Sequence, residues 1–427
     1  MASPAQNERL TRVGPGTPMG ELLRRYWHPF VAAAELDDLG IKPVTLLGEL
    51  LVAFRAGDGS YGLIDRQCPH RRADMLHGIL EEDGLRCSYH GWCFGASGKC
   101  LEQPYEDVAN PKANFRDKIR TKAYPVEEKA GMLWAYMGPD PAPLVPNWEP
   151  FTWANGFRQI VYADVPCNWF QCQENSLDPV HFEWMHRNWS SRLFGDGSYG
   201  PKHLELQFDE FDYGHIYRRV REDTDKSNQH WTVGATALWP NAFFLGDHIE
   251  WRIPVDDENT LSITWMFHRV PVDREPYVQK RVPYWTGPVK DAQGNWITSH
   301  VLNQDIVAWA GQGRIADRTE EHLGQSDRGI VMMRRCFDDN IKAVAEGREP
   351  KGLIRDPEAN RCIEMPIKHR ELFTSSMTLE ESRALGDSLA YRLNRPDYQH
   401  QVGQPEAVKR EYQIAMGMIA EDATETI

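Results

Sequence analysis

Two short boxes, Cys68-Pro69-His70 and Cys87-Ser88-Tyr89-His90, separated by sixteen residues, constrain this chain more than any other stretch of it. Each box pairs one thiol with one imidazole. Two Cys and two His can close a tetrahedron around a zinc ion. They can equally hold a two-iron, two-sulfur cluster in which two thiolates bind one iron and two imidazoles bind the other. Each box can then send one ligand to each iron. The run His90-Gly91-Trp92-Cys93-Phe94-Gly95 places small and aromatic residues where a turn must cover a sulfide-rich core. These features favour the cluster, with a structural zinc site as the alternative, and the rest of the chain has to decide between them.

The chain has 427 residues, enough for two or three domains and a substantial core. A composition of 41% hydrophobic and 26% charged residues is ordinary for a soluble globular protein. A net charge of −14 argues against a nucleic-acid or anionic-membrane partner. No apolar run approaches the ~18 residues needed to span a bilayer. The opening Met1-Ala2-Ser3-Pro4-Ala5 lacks a basic region followed by an apolar core, so no secretory signal is expected. The eight Cys, at 68, 87, 93, 100, 167, 172, 336 and 362, form no disulfide-like framework. Two read as ligands and the others as small buried hydrophobes, which fits a cytoplasmic enzyme. The fifteen Trp could line a pocket for a flat aromatic ligand, although most are expected simply to fill the core.

In chain order, Thr17 and Pro18 predict a helix start over T-P-M-G-E-L-L-R-R-Y-W, with Thr17 as cap. Residues 43–66 predict strands joined at Gly57-Asp58-Gly59. Further hairpins flank the boxes, so residues ~40–140 read as a small all-β domain with both ligand loops at one tip. The Pro-dense 139–150 segment marks a boundary. Beyond it, strands are predicted at H-L-E-L-Q-F-D-E-F, H-I-Y-R-R-V, H-W-T-V-G-A-T-A-L-W, H-I-E-W-R-I-P-V and T-L-S-I-T-W-M-F-H-R-V. The last two alternate as antiparallel strands with one covered face. Helices follow at 299–312 and 328–345, and another begins at a Thr378 capping box. Strands first and helices later is an α+β pattern.

A second constellation lies at 168–189, where Asp178, His181 and His186 fall within nine residues. Iron that activates dioxygen is commonly held by two His and one carboxylate, with open positions opposite. On a regular helix, positions i and i+5 diverge by about 140°. The helix must therefore end or bulge between His181 and His186, and Pro179 implies a break before them. Asp178 also suits the cap of a new short helix.

The two sites together resemble those of the Rieske non-haem iron aromatic-ring oxygenases, oxygenase (alpha) component. The match comprises C-P-H-x16-C-S-Y-H, N-S-L-D-P-V-H-F-E-W-M-H and the 303–330 run N-Q-D-I-V-A-W-A-G-Q-G-R-I-A-D-R-T-E-E-H-L-G-Q-S-D-R-G-I. That run is similar to the phthalate-dioxygenase branch, as are the opening L-T-R-V-G-P-G-T-P-M-G-E-L-L-R-R-Y-W and the segment L-W-P-N…E-W-R-I-P-V-D-D. The resemblance implies an N-terminal all-β Rieske domain followed by a catalytic domain with an antiparallel sheet covered by helices, of helix-grip type. It implies the divisions 1–40 (a helical segment packing on the catalytic domain), 41–145 (Rieske) and 146–427 (catalytic). Cys68, His70, Cys87 and His90 would hold one [2Fe-2S] cluster per subunit. His181 and His186, with Asp305, would hold one mononuclear Fe(II). Spacing alone does not select Asp305 from 62 acidic residues, and Glu320 and Glu321 are its rivals. Asp178 would bridge to a cluster His of a neighbouring subunit, and Asn175 would have a positioning role near the iron. The family's head-to-tail rings imply a homotrimer or stacked trimers.

The function implied is oxygenation of a small aromatic acid with O2, using electrons from NAD(P)H. The chain has no dinucleotide-binding glycine fingerprint and no plant-type ferredoxin Cys run, so a separate reductase or ferredoxin must deliver those electrons. Arg71 and Arg72 could help dock such a partner or make local ion pairs. Monooxygenation or oxidative O-demethylation of a carboxylated or methoxylated aromatic is favoured over cis-dihydroxylation. Arg252 is the candidate for binding the carboxylate bidentately. It shares a strand face with His248 and Glu250, however, and could instead be a solvated partner of Glu250. A Rieske electron carrier without catalysis and a zinc-stabilised binding module are the rival classes. Electron carriers of that kind have an additional Cys in each ligand box. Here Arg71 follows His70, and Cys93 and Cys100 both lie after the second box.

Overall fold

The computed structural model describes residues 2–195, 197–384 and 401–420. The ligand boxes belong to two small antiparallel sheets. One comprises Ile41–Leu46, Glu49–Arg55, Tyr61–Asp65 and Ala123–Tyr124; the other comprises Ile79–Leu80, Leu85–Arg86, Cys93–Phe94 and Cys100–Glu102. Val52, Phe54, Ile64, Met75, Leu85 and Phe94 form their common core, and Cys68 and Cys87 are buried in it. A third sheet of Trp27–Ala32, Met132–Tyr136 and Val126–Lys129 lies beside them.

Thr17 caps the Pro18–Leu23 helix as its sequence predicts, with its hydroxyl accepting from Gly20 N at 3.2 Å. The first forty residues are nevertheless more than a helical segment. Trp27–Ala32 is a fully buried strand paired with Met132–Tyr136, because W-H-P-F-V-A can hide both faces of an extended chain. The preceding Pro4–Thr11 helix is tied to the second half of the chain by an Arg9–Asp338 ion pair of 2.6 Å. Leu47 N donates to Pro254 O at 2.9 Å, joining the small sheets to the large one.

The large sheet has eight strands in the order His203–Phe211, Gly214–Arg221, Ala235–Leu238, Ala242–Phe244, His248–Pro254, Thr260–Arg269, Gly156–Val165 and Tyr284–Thr286. Neighbours are antiparallel except at one edge, where Tyr284–Thr286 runs parallel to Gly156–Val165. The sheet is thus antiparallel through seven strands, as expected, and gains one parallel strand at its edge. After Thr260–Arg269 the chain turns back but settles one position further out, beyond Gly156–Val165, and so runs parallel to that strand. The strand predicted over H-W-T-V-G-A-T-A-L-W shrinks to Ala235–Leu238. Asn228 caps a helical turn at Gln229–Thr232, accepting from His230 N at 2.9 Å, and Gly234 at φ 85° breaks the extended run.

His248–Pro254 is buried on both faces. Trp251 packs edge-on against Trp134 with ring centroids 5.4 Å apart, and on the other side Arg252 stacks over Trp309. Covering helices include Trp169–Asn175, Val301–Gly311 and Arg328–Ala345, and Trp169 and Phe170 both pack against Phe337. The Thr378 capping box is formed, with Glu381 N donating to Thr378 Oγ1 and Thr378 N donating to Glu381 Oε2. Parts of the 146–427 division, at 385–400 and 421–427, lie outside the described residues. Among the described residues no helix is long and apolar enough to cross a membrane.

Candidate metal centres

The two boxes are turns held by their own backbone. Arg72 N donates to Cys68 O and Gly91 N to Cys87 O, while Arg72 and Gly91 take the left-handed φ values of 60° and 78°. These tight turns point the thiols inward and the imidazoles outward. Cys68 and Cys87 are buried and form no disulfide. His90 is exposed, and its ring centroid lies 4.6 Å from that of His70. His70 stacks flat on Trp92 at 4.2 Å, and its Nδ1 is buried with no hydrogen-bond partner among the described residues. Burial, with Cys87 adjacent, pushes the Cys68 thiol up to about 11, a cost that binding to a metal as thiolate would remove. Two inward thiols and two converging rings, one with an orphaned nitrogen, fit a [2Fe-2S] group with thiolates on one iron and imidazoles on the other. Arg71 and Arg72 are exposed beside this tip; Arg71 lies over the Tyr89 ring and Arg72 bonds Gln67.

The second site is built by two segments. Asn168 caps the Trp169–Asn175 helix through Phe170 N at 3.0 Å. The chain breaks at Pro179, where Asp178 Oδ1 accepts from Val180 N at 2.9 Å. It then coils as a short α-helical turn, His181–Glu183, followed by a π-helical turn, Trp184–Trp189. That widening is the bulge the five-residue spacing requires, because i and i+5 come onto one side when the helix closes i→i+5. The ring centroids of His181 and His186 are 5.0 Å apart.

Asp305, on the Val301–Gly311 helix, faces both rings. Its Oδ1 lies 3.6 Å from His181 Nε2 and 3.2 Å from His186 Nε2, and the three ligand atoms fall within 4.8 Å of one another. Of its rivals, Glu321 is bound to Arg334 and Glu320 is exposed. Asn175 Nδ2 donates to Asp305 Oδ1 at 3.4 Å. Asp178 sits behind His181, its Oδ2 3.8 Å from Nδ1, and burial raises its pKa. Burial also lowers His181 to about 4, against the pull of Asp305, so the ring is neutral as a metal ligand must be. Two imidazoles and one carboxylate converging on one point are a donor set suited to non-haem iron.

Three residues not singled out from sequence shape this site. Gln304 Oε1 lies 3.0 Å from His186 Nδ1. Phe182 packs against both rings of the histidine pair, with centroids 4.4 Å from His181 and 5.2 Å from His186. Tyr217 lies beside Phe182. Burial, with Asp178 and Asp305 nearby, pushes its hydroxyl up to about 12. Gln304 alone carried a signal, as the neighbour of Asp305.

Arg252 is 1% exposed and not solvated. Its Nη1 is 2.7 Å from Glu250 Oε2, within a buried row that includes Asp247 and His248. Trp309 of the Val301–Gly311 helix lies against Arg252, and ion pairs take the place of water in this row.

Residues 26–122 match the Rieske [2Fe-2S] domain family, and residues 246–364 match the LigXa C-terminal domain like family. The chain is 59% identical to the 5,5'-dehydrodivanillate O-demethylase oxygenase subunit of Sphingobium sp. (strain NBRC 103272 / SYK-6), over 97% of either chain. It is 30% identical to the phthalate 4,5-dioxygenase oxygenase subunit of Pseudomonas putida, over 82% of this chain and 89% of the relative. Among solved structures, NdmA of Pseudomonas putida CBB5 superposes with a TM-score of 0.56 at 19% identity, covering 84% of this chain and 97% of that one.

Proposed function

This chain belongs to the Rieske non-haem iron aromatic-ring oxygenases, as an oxygenase component of the phthalate-dioxygenase branch, and from that membership we propose that it O-demethylates a methoxylated aromatic acid. An oxygenase component works with a separate electron-transfer protein. In our reading, NAD(P)H supplies the electrons through a reductase. One atom of O2 enters the methyl carbon of an aryl methyl ether and the other leaves as water, consuming two electrons and two protons. The resulting aryl hemiacetal then collapses to a phenol and formaldehyde.

We assign Cys68, Cys87, His70 and His90 to the cluster, and His181, His186 and Asp305 to the mononuclear iron. The cluster would supply single electrons, and the iron would supply a site for dioxygen activation. The protein's own part is positional. Asn175 holds Asp305, Gln304 holds His186, and Phe182 with Tyr217 walls the space beside the imidazoles. The two backbone turns keep His70 and His90 at an outward tip, where a second subunit's Asp178 can accept a hydrogen bond from one of them. That contact asks for a head-to-tail homotrimer, single or stacked. The divisions 1–40, 41–145 and 146–427 and a cytoplasmic location complete the reading.

The observation that carries it is the convergence of His181, His186 and Asp305 in a chain that also contains both cluster boxes. The identity to an O-demethylase subunit favours demethylation over cis-dihydroxylation. The test is a product screen with a surrogate reductase on methoxybenzoates, biaryl acids including dehydrodivanillate, and phthalates. Formaldehyde released in step with NAD(P)H oxidation is expected. A cis-diol would replace demethylation with dioxygenation, and NAD(P)H-dependent reduction of the cluster without any product would remove the catalytic reading.

A further inference from the structure

The Gly214–Arg221 strand turns Tyr217, Arg219 and Arg221 to one face, because alternate residues of a strand share a side. Tyr217 has Asp178 and Asp305 in its surroundings. Arg219 lies two residues on and is close enough to His181 to act on its charge. Its guanidinium lies 5.0 Å over the ring of Phe182, the residue that follows His181.

Arg219 is only 9% exposed, yet no hydrogen bond or ion pair reaches it among the described residues, and its Nε is buried without a partner. The carboxylates around it are engaged elsewhere. Glu183 binds His203 at 2.8 Å, Asp223 pairs with Arg221 at 3.1 Å, and Asp178 faces His181. Further positive groups gather near it around His230. Lys368 Nζ is 3.4 Å from His230 Nδ1, and burial together with Lys368, Arg219, Arg221 and His369 depresses His230 to about 2. In a chain of net charge −14 this is a local concentration of positive charge with one cation left bare. Burying an unpaired charge costs several kcal/mol, so a guanidinium kept this way is suited to meeting an anion that arrives from outside the chain.

We propose that Arg219 is the substrate's carboxylate-binding residue, gripping the acid while the ring of the substrate extends past Phe182 and its reacting substituent reaches the side of His181, His186 and Asp305. This deepens the reading of the chain as an oxygenase of aromatic acids and rests on it. Arg219 has the two properties the role needs. Its planar fork matches a carboxylate bidentately, and its seat on Phe182 fixes the fork relative to the metal-facing rings. Arg252, the other buried candidate, is already occupied by Glu250. Specificity would then depend on the separation between carboxylate and methoxyl along the substrate, since both ends of the site are fixed.

The experiment uses the full-length holoenzyme, with binding of 5,5'-dehydrodivanillate and its dimethyl ester measured calorimetrically under anaerobic conditions. Wild type should bind the acid more tightly than the ester by on the order of 10- to 100-fold. Arg219→Gln should remove that preference by weakening acid binding alone, and Arg219→Lys should restore part of it. Iron content and the cluster absorption should be unchanged in both variants. Equal binding of acid and ester by wild type overturns the proposal without any variant having to fold. Equal weakening of both ligands in Arg219→Gln, or weakening of neither, also overturns it. Product formation by wild type from the acid in those two cases leaves the oxygenase reading standing. Failure of wild type to bind either compound overturns the carboxylate site together with the aromatic-acid reading.

Discussion

His186 Nδ1 donates to Gln304 Oε1 at 3.0 Å, and the direction of that bond is fixed by the other end of the same amide. Gln304 Nε2 donates to Thr298 O at 2.9 Å and to Ser190 Oγ at 2.8 Å. A carbonyl oxygen can only accept, so Oε1 must face the imidazole and the ring proton must sit on Nδ1. The lone pair is left on Nε2, the atom 3.2 Å from Asp305.

Gln304→Leu removes the acceptor and frees the ring to change tautomer. Partners of this kind are worth roughly 10- to 100-fold in metal affinity. The variant should lose mononuclear iron to a competing chelator at correspondingly lower concentration while its cluster absorption stays that of wild type. Iron retention equal to wild type would refute the orienting role.

The two centres should be separable. His181→Ala is expected to lose the mononuclear iron and all turnover but to keep a Rieske-type EPR signal and a red-brown colour. Cys68→Ser should lose colour and signal. Product formation by His181→Ala would rule out our assignment of that residue.

Alkaline pH should weaken the large sheet through His248. Burial opposes its charge, but Asp247 and Glu250 outweigh burial and raise it to about 9. The folded value lies above the ordinary ~6.5, so the stabilisation is fully present below pH ~6.5 and is lost as pH climbs through 9. The shift corresponds to about 3 kcal/mol. Urea midpoints taken from pH 6 to pH 10 should fall in wild type and change much less in His248→Gln. Parallel curves would dismiss the linkage.

Arg318→Ala should be among the costliest single changes. Arg318 and Arg334 together hold the buried Glu174, at 2.7 Å and 2.6 Å, and Arg318 is fully enclosed. Removing one cation leaves a carboxylate half-compensated in the interior, a loss of about 3–5 kcal/mol. Because Glu174 precedes Asn175, the Asn175–Asp305 contact should loosen too. Both effects can be read, from urea unfolding and from iron content.

The local features of this chain were legible as residues in order. Thr17 with Pro18, the Thr378 capping box and the helices at Val301–Gly311 and Arg328–Ala345 follow from caps and periodicity, which act over a few residues. The ligand boxes were legible because their chemistry is compressed into two turns. Even the need for a bulge between His181 and His186 could be argued from spacing, and the π-helical turn at Trp184–Trp189 meets it.

What sequence alone did not supply were relations between distant segments. The parallel edge strand Tyr284–Thr286 depends on which side of Gly156–Val165 the returning chain settles, a choice made by packing. Arg252 and Arg219 lie on strands of similar polar pattern, but one meets Glu250 and the other, with no ion pair among the described residues, meets the face of Phe182. Whether a buried cation is neutralised within the chain or left for an incoming ligand depends on what folds against it. The sequence by itself determined two metal-binding motifs, an α+β order and a family. The tertiary structure decided which of the chain's carboxylates faces the histidine pair and that Arg219, buried beside Phe182, meets no anion among the described residues, because burial and distance arise only once the helices close over the sheet.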